Sequence, residues 1–268
     1  MGILTKRGIV ITRDISQAGS LKERLEVLGA EVYCIPTIKI VEPDDWKPFD
    51  RAASSADRFD WLVFTSPNAA VFAKKRLDFL GIDRSSFSRC KVATIGRQTS
   101  RIVESFGWEV HLTPDRFQSE NLSERLVSVG VRSKRVWLPR ALVARNLLLE
   151  NLEKAGAETN ITPVYQNRIP YENRELISNM LDRRDIDWIT FTSSSTVSNF
   201  FAICGETKTQ RELPKLASIG AVTTGTLARF GLVPAFSAEP QNIEGLCQGI
   251  VDWEREHMSV GSDRETNC

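Results

Sequence analysis

One short stretch of this chain occurs twice. Asp60-Trp61-Leu62-Val63-Phe64-Thr65-Ser66 returns 127 residues later (from 60 to 187) as Asp187-Trp188-Ile189-Thr190-Phe191-Thr192-Ser193. Both copies read as a short buried strand that stops at a hydroxyl pair and enters a helix. The same offset aligns 8–36 with 135–163, with Arg13/Arg140, Leu21/Leu148, Leu25/Leu152, Gly29/Gly156 and Pro36/Pro163 coincident. At an offset of 124 (from 91 to 215), 91–107 aligns with 215–231, sharing Lys91/Lys215, Ala93/Ala217, Gly96/Gly220, Thr99/Thr223 and Gly107/Gly231. Self-similarity at so long a period means a duplicated architecture.

Within each copy the pattern alternates. β-branched runs at 9–12, 31–35, 61–64, 92–95, 108–112, 135–138, 158–161, 188–191, 216–219 and 232–236 predict strands. Between them, helical spacing predicts helices at 16–28, 67–80, 98–106, 118–129, 141–155, 171–181, 195–203, 223–230 and from 243 to about 253. Ser66 is the expected N-cap of the helix at 67–80, with Pro67 at its first helical position. Pro43, Pro48 and the acidic pair Asp44-Asp45 mark a connector, and 258–268 reads as a disordered tail. Strands alternating with helices mean α/β architecture, parallel sheets covered on both faces. At 268 residues two domains are expected. The repeat alone places their boundary near residue 130.

In such sheets ligands bind beyond the carboxyl ends of the strands. Thr65-Ser66, Gly96, Thr192-Ser193 and Gly220 fall on that edge. Lys91 and Lys215 fall on the opposite one and are left out of the site. The helix starts near Ser66 (with Asn68), Thr99, Ser193 (with Ser195) and Thr223-Thr224 each offer free N–H groups and the positive end of a helix dipole to a carboxylate or phosphate. Each could equally serve only to cap its helix. If the two halves face each other, these sites converge and suit a ligand with many carboxylates. Arg13 and Arg140 each follow a first strand, where a guanidinium could hold a carboxylate bidentately or only tie down its own loop. Tyr165 stands where the other copy has Ile38, so the scaffold does not demand it. Tyrosine's ordinary pKa of about 10 lets such a residue act as a general acid; packing in a connector would also explain it.

Much chemistry is excluded. Lys+Arg 35 against Asp+Glu 34 leaves a formal net charge of +1, which does not favour nucleic-acid binding. Five scattered cysteines without a C-x-x-C argue against a disulfide framework or zinc site. There is no G-x-x-x-x-G-K-[ST], no G-x-G-x-x-G and no H-E-x-x-H, so neither nucleotide cofactor nor metal is expected. The first residues lack the apolar core of a signal peptide and no run is long enough to cross a bilayer. The expected location is the cytoplasm, or an organelle stroma if a presequence has been removed.

The chain resembles the uroporphyrinogen-III synthase (HemD) family in Val10-Ile11-Thr12-Arg13, Phe64-Thr65-Ser66-Pro67-Asn68-Ala69, Ala93-Thr94-Ile95-Gly96, Val164-Tyr165-Gln166, Phe191-Thr192-Ser193 and Ala217-Ser218-Ile219-Gly220, spread over about residues 8–250. The resemblance implies two flavodoxin-like, HemD-type domains joined by a two-stranded connector. Residues 1–36 with 169–257 would form the first and 42–162 the second, with connectors at 37–41 and 163–168. It implies a cofactor-free, metal-free monomer that cyclises hydroxymethylbilane, a linear tetrapyrrole polycarboxylate, to uroporphyrinogen III with inversion of ring D. Hydroxymethylbilane synthase would be a transient partner. Tyr165 would aid departure of the hydroxyl, and the turns at Ser66, Thr99, Ser193 and Thr223 would bind substrate. Gly220-Ala221-Val222-Thr223 and Arg140-Ala141 depart from the family's usual Gly-Pro-x-Thr and Arg-Gly. A non-catalytic tetrapyrrole-binding or regulatory protein on the same scaffold is the alternative.

Overall fold

The structure, a computed structural model, describes residues 2–114, 119–183, 185–205 and 212–262, with side chains to 257. The chain begins with β1 (Gly8–Ile11), α1 (Ile15–Val27), β2 (Glu31–Cys34), β3 (Lys39–Val41), α2 (Lys47–Ala53), β4 (Trp61–Phe64), α3 (Pro67–Phe79), β5 (Lys91–Thr94) and α4 (Arg97–Ser105). It continues with α5 (Ser119–Ser128), β6 (Arg135–Ala141), α6 (Leu147–Lys154), β7 (Glu158–Arg168), α7 (Arg174–Leu181), β8 (Ile186–Phe191), α8 (Ser194–Cys204), β9 (Lys215–Ser218), α9 (Ala221–Arg229), β10 (Phe236–Ser237) and α10 (Ile243–Ser262). No helix among the described residues is long and apolar enough to cross a membrane.

Two compact units result: Met1–Lys39 with Arg168–Cys268, and Ile40–Asn167. They do not divide near residue 130, where the repeat alone suggests. In the first unit the sheet order is β10-β9-β8-β1-β2, and these neighbours pair in parallel. In order of appearance within the unit this is the 2-1-3-4-5 arrangement of flavodoxin-like sheets. The second unit has the order β3-β7-β6-β4-β5. Its β6, β7, β4 and β5 stand where β1, β2, β8 and β9 stand in the first.

Alternation along the strands builds two cores per sheet. Ile9, Ile11 and Trp188 face α1 and α10, while Val10, Ile189 and Phe191 face α7, α8 and α9. In the second unit Leu62, Phe64 and Trp137 face α2, α3 and α4, and Trp61, Val63 and Val136 face α5 and α6. Both faces are therefore covered, as parallel sheets require.

The repeated Asp-Trp and Lys residues hold the amino edges. Asp60 accepts hydrogen bonds from the Arg135 N–H at 2.9 Å and Lys134 Nζ at 2.9 Å. Asp187 accepts from the Gly8 N–H at 3.0 Å and Arg7 Nη1 at 3.3 Å. Each aspartate thus ties the start of one strand to its neighbour. Lys91 and Lys215 lie over the rings of Trp61 and Trp188. The buried Glu254 takes the Trp188 Nε1–H at 2.9 Å and pairs with Arg7 and Lys215. Burial pushes the Asp60 carboxyl up, but the Arg135 N–H and the Lys134 ammonium outweigh it and leave the pKa below its ordinary 3.8. A lowered folded-state pKa stabilises the fold above the ordinary value, and that stability is lost as the pH falls through the folded value. Asp60→Asn is therefore expected to melt below the wild type at pH 7. The gap should close below about pH 3.8 in thermal melts across pH.

The structure corrects several sequence expectations. The connector at 43–48 contains the start of α2, because Pro48 sits in its first turn, where no N–H is needed, and Phe49 is fully buried beneath it. The strand expected at 108–112 reduces to one bridge between Ala93 and Leu112. The strand expected at 232–236 begins only at Phe236, beyond Pro234, which has no N–H to pair. The helix expected from 141 starts at Leu147, since β6 continues through Ala141 against the eleven-residue β7. The start of the helix expected at 118 lies outside the described residues, and α5 is described from Ser119. Helix α10 runs to Ser262 rather than 253, with His257 stacked on Trp253 one turn back. Residues 263–268 of the expected tail lie outside the described residues.

Candidate active site

The second unit's carboxyl edge is built by strands of unequal length. β4 ends at Phe64, and Ser66 caps α3 by accepting the Ala69 N–H at 3.2 Å. β7 runs on beside β6, with Tyr165 opposite Ala141 and its carbonyl accepting the Leu142 N–H at 2.8 Å. That extra length carries the Tyr165 hydroxyl to 3.3 Å from Ser66 Oγ. The phenol ring stacks on Phe72 of α3, centroids 5.8 Å apart, which fixes its direction.

This arrangement suits proton donation. Ser66 Oγ already accepts from Ala69, so its own proton can point at Tyr165 Oη. The phenolic proton is then left for an outside acceptor. Asn68 is half-buried in the first turn of the same helix.

Arg140 lies on β6 one residue before Ala141. Its Nη1 donates to the Arg145 carbonyl at 3.1 Å and its Nη2 to Asn146 Oδ1 at 2.8 Å. Its Nε is buried without a partner, and no carboxylate pairs with it among the described residues. Burial lowers its pKa. A half-buried guanidinium offered only neutral acceptors lacks a counter-ion, which a ligand carboxylate would supply. In the first unit the Arg13 guanidinium lies 3.4 Å from Gln17 Oε1, and burial likewise lowers its pKa.

The other expected residues divide. Ser193 closes a capping box with Thr196, each side chain accepting the other's N–H at 3.2 Å. Ser195 is exposed in the first turn of α8. Thr99 and Thr223, identical in both copies, are turned inward and only 1% and 3% exposed, leaving little for a ligand to touch. One residue on, Ser100 and Thr224 are half-buried and bonded to hydroxyls at the strand ends. Ser100 meets Thr94 at 2.7 Å and Thr113 at 3.1 Å, and Thr224 donates to Ser218 at 3.0 Å. Sequence identity passes over Thr94/Ser218 and Ser100/Thr224 because each pair keeps the hydroxyl but not the residue. Comparing chemistry instead of identity at the 124 offset finds them.

Gly96 begins α4 at φ +84°, a conformation that favours glycine. His111 is occupied structurally: its Nδ1 accepts the Val92 N–H at 3.2 Å. Among the described residues no group of three or more His, Cys, Asp or Glu is arranged to hold a metal.

The family model of uroporphyrinogen-III synthase HemD matches residues 19–248. A protein of Methanothermobacter thermautotrophicus, provisionally named a uroporphyrinogen-III synthase, is 31% identical over 264 residues, covering 95% of this chain and 99% of its own. The uroporphyrinogen-III synthase of Synechococcus elongatus is 28% identical, covering 94% and 97%. Among solved structures, a mutant uroporphyrinogen III synthase of the extremely thermophilic bacterium Thermus thermophilus has the same fold, with TM-score 0.62 at 16% identity over 93% of this chain and 99% of that one. With its model matched over most of its length and a relative above 30% identity along nearly the whole chain, the protein belongs to the uroporphyrinogen-III synthase family.

Proposed function

We propose that this protein cyclises hydroxymethylbilane to uroporphyrinogen III, losing water and inverting ring D, and that Tyr165 supplies the proton for the departing hydroxyl. The observation that carries the residue assignment is the Tyr165 hydroxyl, 3.3 Å from Ser66 at the start of α3. Its proton passes to the leaving oxygen as the pyrrole nitrogen's lone pair breaks the carbon–oxygen bond, leaving water and the protonated azafulvene; the proton released when ring D regains aromaticity after closure restores the phenol. The substituted carbon of ring D then attacks, and a spiro intermediate fragments and recloses. Arg140 and Arg13 hold substrate carboxylates. The turns at Ser66, Asn68, Ser193, Ser195, Thr99, Thr223 and Thr224 contribute N–H groups or hydroxyls, with Thr99 and Thr223 acting through the helix starts they pack. In this reading the protein needs no cofactor. It works as a monomer in the cytoplasm or an organelle stroma and takes the bilane from its synthase in a transient encounter.

The test is to generate hydroxymethylbilane in situ and follow its disappearance. Consumption should exceed spontaneous closure in proportion to protein concentration; no acceleration by folded protein overturns the proposal. Arg140→Gln separates binding from chemistry. It removes one charge-assisted contact made equally to substrate and transition state, so KM should rise roughly tenfold while kcat holds. A fall in kcat at unchanged KM would remove Arg140 from carboxylate binding.

A further inference from the structure

At the other end of the second unit's strands lies a cavity of about 460 Å³, within the usual size of small-molecule sites. The amino ends of β6 and β7 and the helix α2 form it. Its apolar floor includes the buried Ala52 and Phe59, and around it stand Arg51, Arg58 and Arg135. One carboxylate lies among them: Glu158, 3.3 Å from Arg135 Nε. The guanidiniums of Arg51 and Arg58 have no acidic partner among the described residues.

The first unit provides the internal comparison. At the 127-residue offset α2 coincides with α7. Arg51 becomes Ser178, Arg58 becomes Asp185, Arg135 becomes Gly8 and Asn160 becomes Tyr33. There the corresponding corner is filled and neutralised. Arg183 lies over the Tyr33 ring at 4.4 Å and donates to its hydroxyl at 2.8 Å. The same guanidinium grips Asp185 at 2.9 and 2.5 Å. The second copy has asparagine in place of that ring and arginine in place of that acid, and adds two more arginines. Arg51, Arg58 and Arg135 add positive charge, Ala56 in place of Arg183 removes one cation, and Asn160 removes volume. Like charges around one corner repel, so packing and stability gain nothing from the exchange.

We propose that this cavity is a binding site for a compact multivalent oxyanion, a phosphate or a small polycarboxylate, distinct from the carboxyl-edge site of the reaction. Guanidinium forks match the oxygens of either group bidentately. Asn160 leaves the room that Tyr33 occupies in the other copy.

The test titrates the full chain with inorganic phosphate and with citrate at constant ionic strength, by calorimetry and thermal melting, with chloride as control. At least one anion should bind saturably and raise the melting temperature; which one does so tells phosphate from carboxylate recognition. Arg58→Asp with Asn160→Tyr, which installs the first unit's residue types, should weaken binding by roughly tenfold or more. Arg51→Gln with Arg58→Gln, which keeps the cavity open, should weaken it as well. Both variants should consume hydroxymethylbilane like the wild type, and Arg140→Gln should keep the anion response. The proposal is overturned if neither anion binds beyond chloride, or if binding survives undiminished in the Arg51/Arg58 variant. Loss of the response in Arg140→Gln instead would assign the anion to the carboxyl edge and equally overturn it.

Discussion

Tyr165→Phe is expected to lower kcat for formation of the type III isomer by about 10²-fold or more, the usual weight of a positioned general acid. The variant isolates the hydroxyl. Phenylalanine keeps the ring stacked on Phe72, and Ser66 keeps its cap on the Ala69 N–H. Only the 3.3 Å contact between the two hydroxyls is removed, so stability should fall by no more than about 1 kcal/mol. Steady-state kinetics with bilane generated in situ, beside a thermal melt, reads both quantities. A folded Phe variant with wild-type kcat would remove Tyr165 from the chemistry and leave it a packing residue. Because the proton is needed as the hydroxyl departs, a loss confined to KM would also contradict the assignment.

The second large effect is structural. Trp137→Ala should destabilise the protein by about 3–5 kcal/mol, a large share of the roughly 5–15 kcal/mol typical of folded domains. Trp137 is fully buried on β6, and the rings of Phe49, Phe59 and Phe87 lie 5.0, 5.2 and 6.0 Å from it. Its Nε1–H also donates to the buried Thr162 hydroxyl on β7 at 2.8 Å. Truncation therefore opens a cavity and orphans an acceptor between the two strands that carry Arg140 and Tyr165. Trp137→Phe, which keeps an aromatic ring but not the donor, should cost about 1–3 kcal/mol. Guanidinium unfolding followed by far-UV circular dichroism measures both; equal midpoints for wild type and the alanine variant would contradict the packing account.

The duplication makes much of the fold readable because it repeats the residues that fix strand starts. Asp60 and Asp187 each bridge two strands, and Trp61 and Trp188 each lie under a lysine. Identity between copies therefore marks the amino edges. Helix α2 is hidden because Pro48 reads as a breaker and is tolerated only in a first turn. The end of β6 reads as helix because strand length there is set by pairing with β7, a contact between distant residues that local periodicity does not carry. At the candidate site, Ser66 is legible as a cap and Tyr165 as the residue that breaks the repeat. Their approach is not, since it depends on β7 outrunning β4. Thr99 and Thr223 show the opposite failure: identity in both copies reflects the buried face of a helix, while the hydroxyls bonded at the strand ends are Ser100 and Thr224.

The most direct test is the identity of the ring closed. Hydroxymethylbilane left to itself closes to the type I isomer without inverting ring D. Incubated with this protein and oxidised, it should give predominantly the type III porphyrin, separable from type I by chromatography, with the type III fraction rising with protein concentration. Type I alone, from protein shown to be folded, would contradict the cyclisation with inversion on which the account rests.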